Sequence, residues 1–322
     1  MTAGHGVFIL VVVLALSFFS YNAQRLIRYM LTVGGPDDRS DHPLIRIKNL
    51  VLIGLAQTKI LREPAAGVMH ASVFWGFVVL TIGTAEIILS GLFPGFSYAT
   101  ILPTPLYLFY TLSQELFALL VLVAVGALLY RRIVVKPKRL QGDKVHSGDA
   151  ILILSMIAAL MVSLLSLGAF EFALNPDSAT MFQPISFVLS HALTGFSVTT
   201  LEAGRATSWW FHALLILVFL NYLPYSKHLH VLTSLPNTYL SNTSGPGVKG
   251  AMSYMDLEAE GVEQFGASDV TQLGWKNLFD SYSCTECGRC TAACPANITG
   301  KLLSPRKIMI NTRQRLMELA PL

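Results

Sequence analysis

Charge is scarce in this sequence. Only 13% of its 322 residues are Asp, Glu, Lys or Arg, against roughly 25% in soluble domains. With 53% apolar residues and a mean hydropathy of +0.55, that scarcity excludes an ordinary soluble domain and predicts several membrane-spanning helices. Cysteine is scarce too, and all four lie within residues 284–294. Thiols confined to one tight motif argue against a disulfide framework; they read as reduced, metal-binding cysteines on the cytoplasmic side. No basic cluster is interleaved with aromatics, and the net charge is only +4, which leaves nucleic-acid binding without support. The N-terminal MTAGHG carries no charged residue, and Arg25 and Arg28 follow the first apolar run instead of preceding it. A cleaved signal peptide has the opposite order, so this run predicts an uncleaved span with its N-terminus outside.

Five apolar runs are present. The first covers Val7 to Ser20 and extends towards Met30. The others cover about Ala65 to Leu89, Leu106 to Tyr130, Asp149 to Phe170 and Trp209 to Pro224. Basic residues crowd two of the connections. One is Pro36 to Glu63, whose centre PLIRIKNLVLIGLAQTKIL reads as an amphipathic interfacial helix. The other is RRIVVKPKRLQGDK, which ends at Lys144. FPGFSYATILPTP has no basic residue, and Glu171 to Ser208 has Arg205 alone. The positive-inside rule then predicts an all-α integral membrane protein of five spans, with the C-terminus cytoplasmic and a bacterial-type inner membrane as its location. Composition divides the chain into a transmembrane domain over 1–232, a Ser/Gly/Asn-rich linker over 233–270 and the start of an α-helical, ferredoxin-type segment over 271–322. The glycosylation patterns at Asn242 and Asn297 carry no weight on a cytoplasmic face.

Cys284, Cys287, Cys290 and Cys294 are spaced C-x2-C-x2-C-x3-C-P. This is the run of bacterial ferredoxins. Zinc sites use two separated C-x2-C pairs, so the spacing favours a [4Fe-4S] cluster. In two-cluster ferredoxins the fourth cysteine of such a run ligates the other cluster. On that pattern Cys284, Cys287 and Cys290 hold one cube that lacks a fourth ligand, and Cys294 serves a second cube. The motif thus predicts either the front part of a longer polypeptide, or a cysteine-rich partner that supplies the missing thiols. A single cluster on all four local cysteines is the alternative. SPRKIMINTRQRLMEL is predicted to be a helix capped by Ser304 with Pro305 in its first turn.

Ionisable residues inside a membrane are costly and are functional candidates by default. His70 falls in the first turns of span two and His230 just past span five, both at the predicted inner side, where they could hold one haem as axial ligands. His212 precedes His230 by eighteen residues, about 27 Å of helix, too far to share that haem. It could serve a second haem, with His191 as the other outer histidine. The alternative for each is a hydrogen bond to a neighbouring helix. His228 reads as interfacial, and His5, His42 and His146 as solvated. Glu86 and Glu115 are carboxylates within apolar runs; either could relay protons at a quinone site or act as a structural hydrogen-bonding group.

Spans two to five resemble the gamma-subunit cytochrome b of respiratory nitrate reductase, on the strength of HALLILVFLNYLPYSKHLH. That resemblance implies that His212 and His230 are haem ligands. The family also carries two histidines ten residues apart on its second span. Here His70 matches the first and Leu80 stands at the second, so the usual partner of His212 is missing. NLFDSYSCTECGRCTAACPANITGKLLSPRKIMINTRQRL resembles heterodisulfide-reductase-like iron–sulfur oxidoreductases. The fusion of the two resembles the electron-transfer-flavoprotein:menaquinone oxidoreductase group, over about residues 60–322 without the linker. It implies b haem, [4Fe-4S] clusters, menaquinone as substrate, and an electron-transfer flavoprotein or other soluble redox protein as partner. The expected function is a quinone-linked oxidoreductase, passing electrons from that donor to menaquinone. Two alternatives stand beside it. One is quinol oxidation coupled to reduction of a cytoplasmic disulfide or sulfur substrate. The other is a cofactor-poor anchor for a catalytic subunit.

Overall fold

The computed structural model describes residues 3–141, 147–178, 181–243, 257–258, 260–261 and 264–320. Lys144, His146 and, of the predicted linker, residues 244–256, 259, 262 and 263 lie outside the described residues. Among those described, the fold is helical, and the one β contact is an isolated bridge between Gly35 and Gly274. The helices are α1 (Ala3–Val33), α2 (Pro43–Asn49), α3 (Pro64–Leu92), α4 (Thr104–Tyr130), α5 (Ser147–Leu174), α6 (Pro184–Ser190), α7 (Val198–Tyr222), α8 (His230–Tyr239), α9 (Trp275–Tyr282), α10 (Arg289–Ala292), α11 (Pro295–Ile298) and α12 (Pro305–Leu319). Five of them, α1, α3, α4, α5 and α7, are long and apolar enough to cross a membrane. Their outward side chains stay apolar: Phe109 is 66% exposed, Val123 63% and Leu14 60%. Water is a poor solvent for such faces, whereas hydrocarbon suits them and forces the backbone bonds to close internally, as helices do.

Two boundaries differ from the sequence reading. Span five begins at Val198 rather than Trp209. Ser197 Oγ accepts the Thr200 N–H at 3.2 Å, a helix start that ends the preceding loop before the polar turn VTTLEAGR. The predicted interfacial segment divides into α2 and a π-helical turn, Leu50–Leu55. Apolar side chains point outward along it, Leu44 at 79% exposure, while Arg46 turns inward. Arg46 is 1% exposed; it pairs with the Asp41 carboxylate and donates to the carbonyls of Tyr239 (3.1 Å) and Ser241 (2.8 Å). Those carbonyls lie at the last residue of α8 and just past it, and α8 covers the first residues of the stretch read as a linker.

The chain forms two compact units. The first comprises Met1–Phe19, Ile60–Lys136 and Gly148–Tyr222. Its core joins Leu80 of α3, Ala118, Val121 and Val125 of α4, and Leu154, Met161 and Leu165 of α5. Small residues let α3 and α4 approach closely, as in membrane bundles generally: a Cβ at Gly76 would collide with Val121, and one at Gly83 with Gln114. Gln114 Nε2 donates to the Val79 carbonyl at 3.0 Å, which meets a polar need without water. A second cluster packs Phe8 against Trp209 and Trp210, with ring centroids 5.0 and 5.7 Å away.

The second unit comprises Ser20–Lys59, Pro137–Ser147 and Leu223–Leu322. Its core gathers Leu26, Met30, Leu229, Val270, Leu278, Tyr282 and Leu316. Amphipathic α9 is pinned from both ends. Trp275 Nε1 donates to the Asp37 carbonyl at 2.8 Å, and the Tyr282 hydroxyl donates to the Leu26 carbonyl at 3.2 Å. α12 has the predicted start: Ser304 Oγ accepts the Lys307 N–H, and Pro305 opens the first turn. Its Arg315 holds Asp269 at 2.9 Å, which keeps that carboxyl below its ordinary range.

Candidate functional site

The cysteine loop follows α9 within the second unit. Two residues make its turns. Gly288 has φ +74° and caps α10, and a Cβ there would also run into the Arg139 carbonyl. Glu286 has φ +59° although it is not glycine, an uncommon conformation that its surroundings must enforce. Cys287 and Cys290 are exposed, and Cys284 and Cys294 are half-buried. Burial pushes the Cys284 thiol up from its usual range. The Glu286 backbone and Arg313 pull it down, while the nearby Cys287 and Cys290 thiols push it up again. The first three cysteines are therefore electrostatic neighbours, with Cys294 opening α11 as its N-cap.

No three His, Cys, Asp or Glu side chains among the described residues gather tightly enough to hold a single metal ion. A cube carries its protein ligands on separate corners, so its thiolates stand farther apart than those around one ion. Four sulfur donors on a glycine-turned loop, two of them open to the surface, fit an iron–sulfur cluster. Thr291 Oγ1, bonded to Ser304 Oγ at 3.1 Å and to the Arg306 N–H at 3.1 Å, ties the loop to α12.

His230 opens α8 in the same unit. Its Nδ1 lies 3.1 Å from the Lys227 carbonyl. A carbonyl only accepts, so Nδ1 carries the proton and the lone pair sits on Nε2, the arrangement of metal-binding imidazoles. Burial lowers the ring's pKa, and the carbonyl partly opposes this, so the neutral form that ligates is favoured. His70 lies half-buried on α3 in the first unit. The His228 ring meets that of His230 edge-on at 5.0 Å.

His212 is 3% exposed on α7. Its Nδ1 faces the Leu160 carbonyl (3.1 Å) and Ser163 Oγ (2.8 Å) on α5. It shares a cavity of about 40 Å³ with Leu80, Thr84, Gln114 and Met161. Leu80 thus faces His212 from the position where the resembled cytochromes carry a histidine, and leucine has no lone pair to give. So small an apolar space does not fit a porphyrin. His191 does not line it; its exposed ring packs on Phe187 at 4.8 Å and its Nδ1 meets the Phe187 carbonyl at 3.0 Å.

Glu86 and Glu115 line one cavity of about 600 Å³ in the first unit, together with Tyr107, Tyr110, Trp209 and Trp210. That volume lies within the 300–1,000 Å³ usual for small-molecule sites. The two carboxylates differ in what they hold. Glu115, 5% exposed, accepts the backbone N–H groups of Ile185 (3.0 Å) and Ser186 (2.9 Å) and the Ser186 hydroxyl. It caps α6 from another helix, and Gly168 makes room, since a Cβ there would strike Ser186. Glu86 accepts from Ser97 Oγ (2.8 Å), the Tyr98 N–H (2.7 Å) and the Tyr110 hydroxyl (2.6 Å). Glu86 thus takes two hydroxyls and one amide, including a tyrosine hydroxyl at the cavity, whereas Glu115 takes two amides and one hydroxyl at a helix start. Glu115→Ala is expected to lower stability by about 3 kcal/mol, because it orphans a buried helix start. Thermal unfolding in detergent checks this, and an unchanged midpoint would contradict the capping role.

Sequence reasoning did not find one buried group. Glu286 pairs with Arg313 of α12 at 2.8 Å and with Lys227 at 3.6 Å. A lone acid among cysteines and a lysine beside the last span were the available signals, and no spacing rule joins them.

Comparison with known proteins bears on this arrangement. Residues 275–296 match the family model described as a 4Fe-4S binding domain. A Bacillus subtilis (strain 168) protein named "Probable iron-sulfur-binding oxidoreductase FadF" is 30% identical over 97% of this chain and 43% of its own length. The Syntrophomonas wolfei "EtfAB:quinone oxidoreductase" is 28% identical, with the same two shares. A "Probable membrane-anchored ferredoxin" of Chromohalobacter salexigens is 28% identical over 23% of this chain and 11% of its own. No solved structure matches. The chain spans 43% of the length of the first two relatives, and it is similar over nearly all of itself to proteins named as oxidoreductases, with an iron–sulfur domain at its C-terminal end.

Proposed function

We propose that this chain is the membrane part of an oxidoreductase that carries electrons between a soluble redox protein, such as an electron-transfer flavoprotein, and menaquinone. What supports the reading best is the placement of the cysteine loop and the His230 turn in one compact unit, joined through Lys227. The names of the relatives agree with it. Cys284, Cys287 and Cys290 would hold a [4Fe-4S] cluster, with Cys294 serving that cluster's neighbour, and His70 and His230 would each serve as a b-haem ligand. When bound, these groups supply one-electron chemistry that no side chain of the protein can perform.

The chain's own residues supply position, burial and protons. The exposed side of the cysteine loop is where a soluble donor would approach, on the cytoplasmic face in this reading. The 600 Å³ cavity is the proposed place for the quinone ring, with Trp209 and Trp210 as its apolar wall and the Tyr110–Glu86 pair as its proton source. Glu115 is spoken for by α6 and is left out of that role. Glu86 lies sixteen residues beyond His70, about 24 Å along α3, so proton delivery and haem ligation fall towards opposite ends of that helix.

The test is reoxidation. Purified chain, reduced chemically under anaerobic conditions, is mixed with a water-soluble menaquinone analogue while the haem band is followed. Rapid reoxidation is expected, slowed about tenfold in Glu86→Gln as is typical for loss of one general acid. A band that stays reduced in the unaltered chain would remove quinone as the partner. Equal rates in the variant would remove the cavity as its site.

A further inference from the structure

The proposed function uses the cysteines and His230 but leaves the buried charges between them without a role. Glu286 is 2% exposed and Lys227 5%. The Glu286 carboxylate receives Arg313 Nη2 on one oxygen at 2.8 Å and faces Lys227 Nζ with the other at 3.6 Å. Arg313 also reaches the Cys284 carbonyl at 3.5 Å. Two cations thus share one anion beside the cysteine loop. Lys227 sits in a 3₁₀ turn, Lys227–Leu229, whose start is capped by Ser226, and its carbonyl is the group that fixes the His230 ring.

Burial of Glu286 and Lys227 is costly unless the charges serve each other. Breaking such a group by removing one member costs far more than removing an opposed pair together. The left-handed backbone at Glu286 adds a cost that the surrounding contacts must offset. Both expenditures fall between two cysteines of one motif, on a side chain that cannot ligate an iron–sulfur cluster in the manner of a thiolate. An iron–sulfur cluster with its thiolates is anionic, and the charge and hydrogen bonds around it set its potential.

We propose that Lys227 is a positioning residue for the iron–sulfur loop: through Glu286 it holds the Cys284–Cys287 turn and tunes the cluster's potential, while its carbonyl orients His230. The inference rests on the cysteines being iron–sulfur ligands, as argued above.

Four variants test it in the purified chain, each read by iron content and by the potential and EPR spectrum of the cluster. Lys227→Met removes positive charge and is expected to make reduction tenfold harder, about 59 mV for one electron. Glu286→Gln removes the anion that faces both Lys227 and Arg313. It is expected to shift the potential the other way and to lose most of the bound iron. The double variant should recover much of that iron, because the unopposed lysine has gone too. Lys227→Arg, which keeps the charge, should restore the original potential. Unaltered spectra and potential in Lys227→Met would overturn the proposal. So would a double variant no better than Glu286→Gln. Absence of iron–sulfur signals in the unaltered chain would overturn the underlying reading as well, and is seen before any substitution is made.

Discussion

His230→Ala is expected to abolish the b-haem absorption of the purified chain while leaving its iron–sulfur signals in place. The expectation follows from local geometry. The ring is half-buried, its pKa is lowered by desolvation so that the neutral form is favoured, and the Lys227 carbonyl holds it with its lone pair on Nε2. Alanine deletes the ligand and keeps the α8 start, because the helix is initiated by the 3₁₀ turn before it and not by the imidazole. His228→Ala is the control. Its ring touches that of His230 at 5.0 Å, so a purely packing role for this pair would make the two variants alike. The account expects haem to survive His228→Ala and to be lost in His230→Ala and His70→Ala. A full haem content in His230→Ala would show that the ring packs without ligating.

Cys287→Ser is expected to remove the iron–sulfur cluster and leave the haem. A serine hydroxyl is not ionised at neutral pH and offers a hard oxygen where soft sulfur is needed. Cys287 is exposed, so the change costs little in packing and the loss of iron reports ligation. Cys294→Ser separates the two readings of the motif. The first three thiols act on one another, and Cys294 opens the next helix. Retention of the cluster in Cys294→Ser supports a cube on the first three cysteines, completed from elsewhere. Loss equal to that of Cys287→Ser would establish a single cluster on all four.

Much of this was legible in the sequence, because two strong physical signals run through it. Apolar runs of membrane length announce helices whatever their neighbours are, so α1, α3, α4 and α5 fall where hydropathy puts them. Ser304-Pro305 marks the start of α12 by local capping chemistry alone. The cysteine spacing is likewise local, and it leads directly to the loop and to the family model that covers it. What was hidden depends on approach between distant segments. The length of α7 was missed because its first turns are polar and hydropathy cannot see a capped, polar helix start. Glu115 read equally as a proton relay or a structural hydrogen-bonding group because its neighbours in sequence are apolar; its partners, the amides of Ile185 and Ser186, lie on another helix. Leu80 facing His212 was foreshadowed by the resemblance, yet the narrowness of the space between them was not. The Lys227–Glu286–Arg313 group belongs to the same class, since nothing in residue spacing foretells a charge brought in from the end of a span.

The central proposal is that one chain carries both a histidine-ligated b haem and an iron–sulfur centre on its cysteine loop. The most direct measurement is the ratio of haem to non-haem iron in the purified, anaerobically prepared chain. The account predicts one b haem per chain alongside about four non-haem irons for a [4Fe-4S] cluster. Iron without any haem would contradict it.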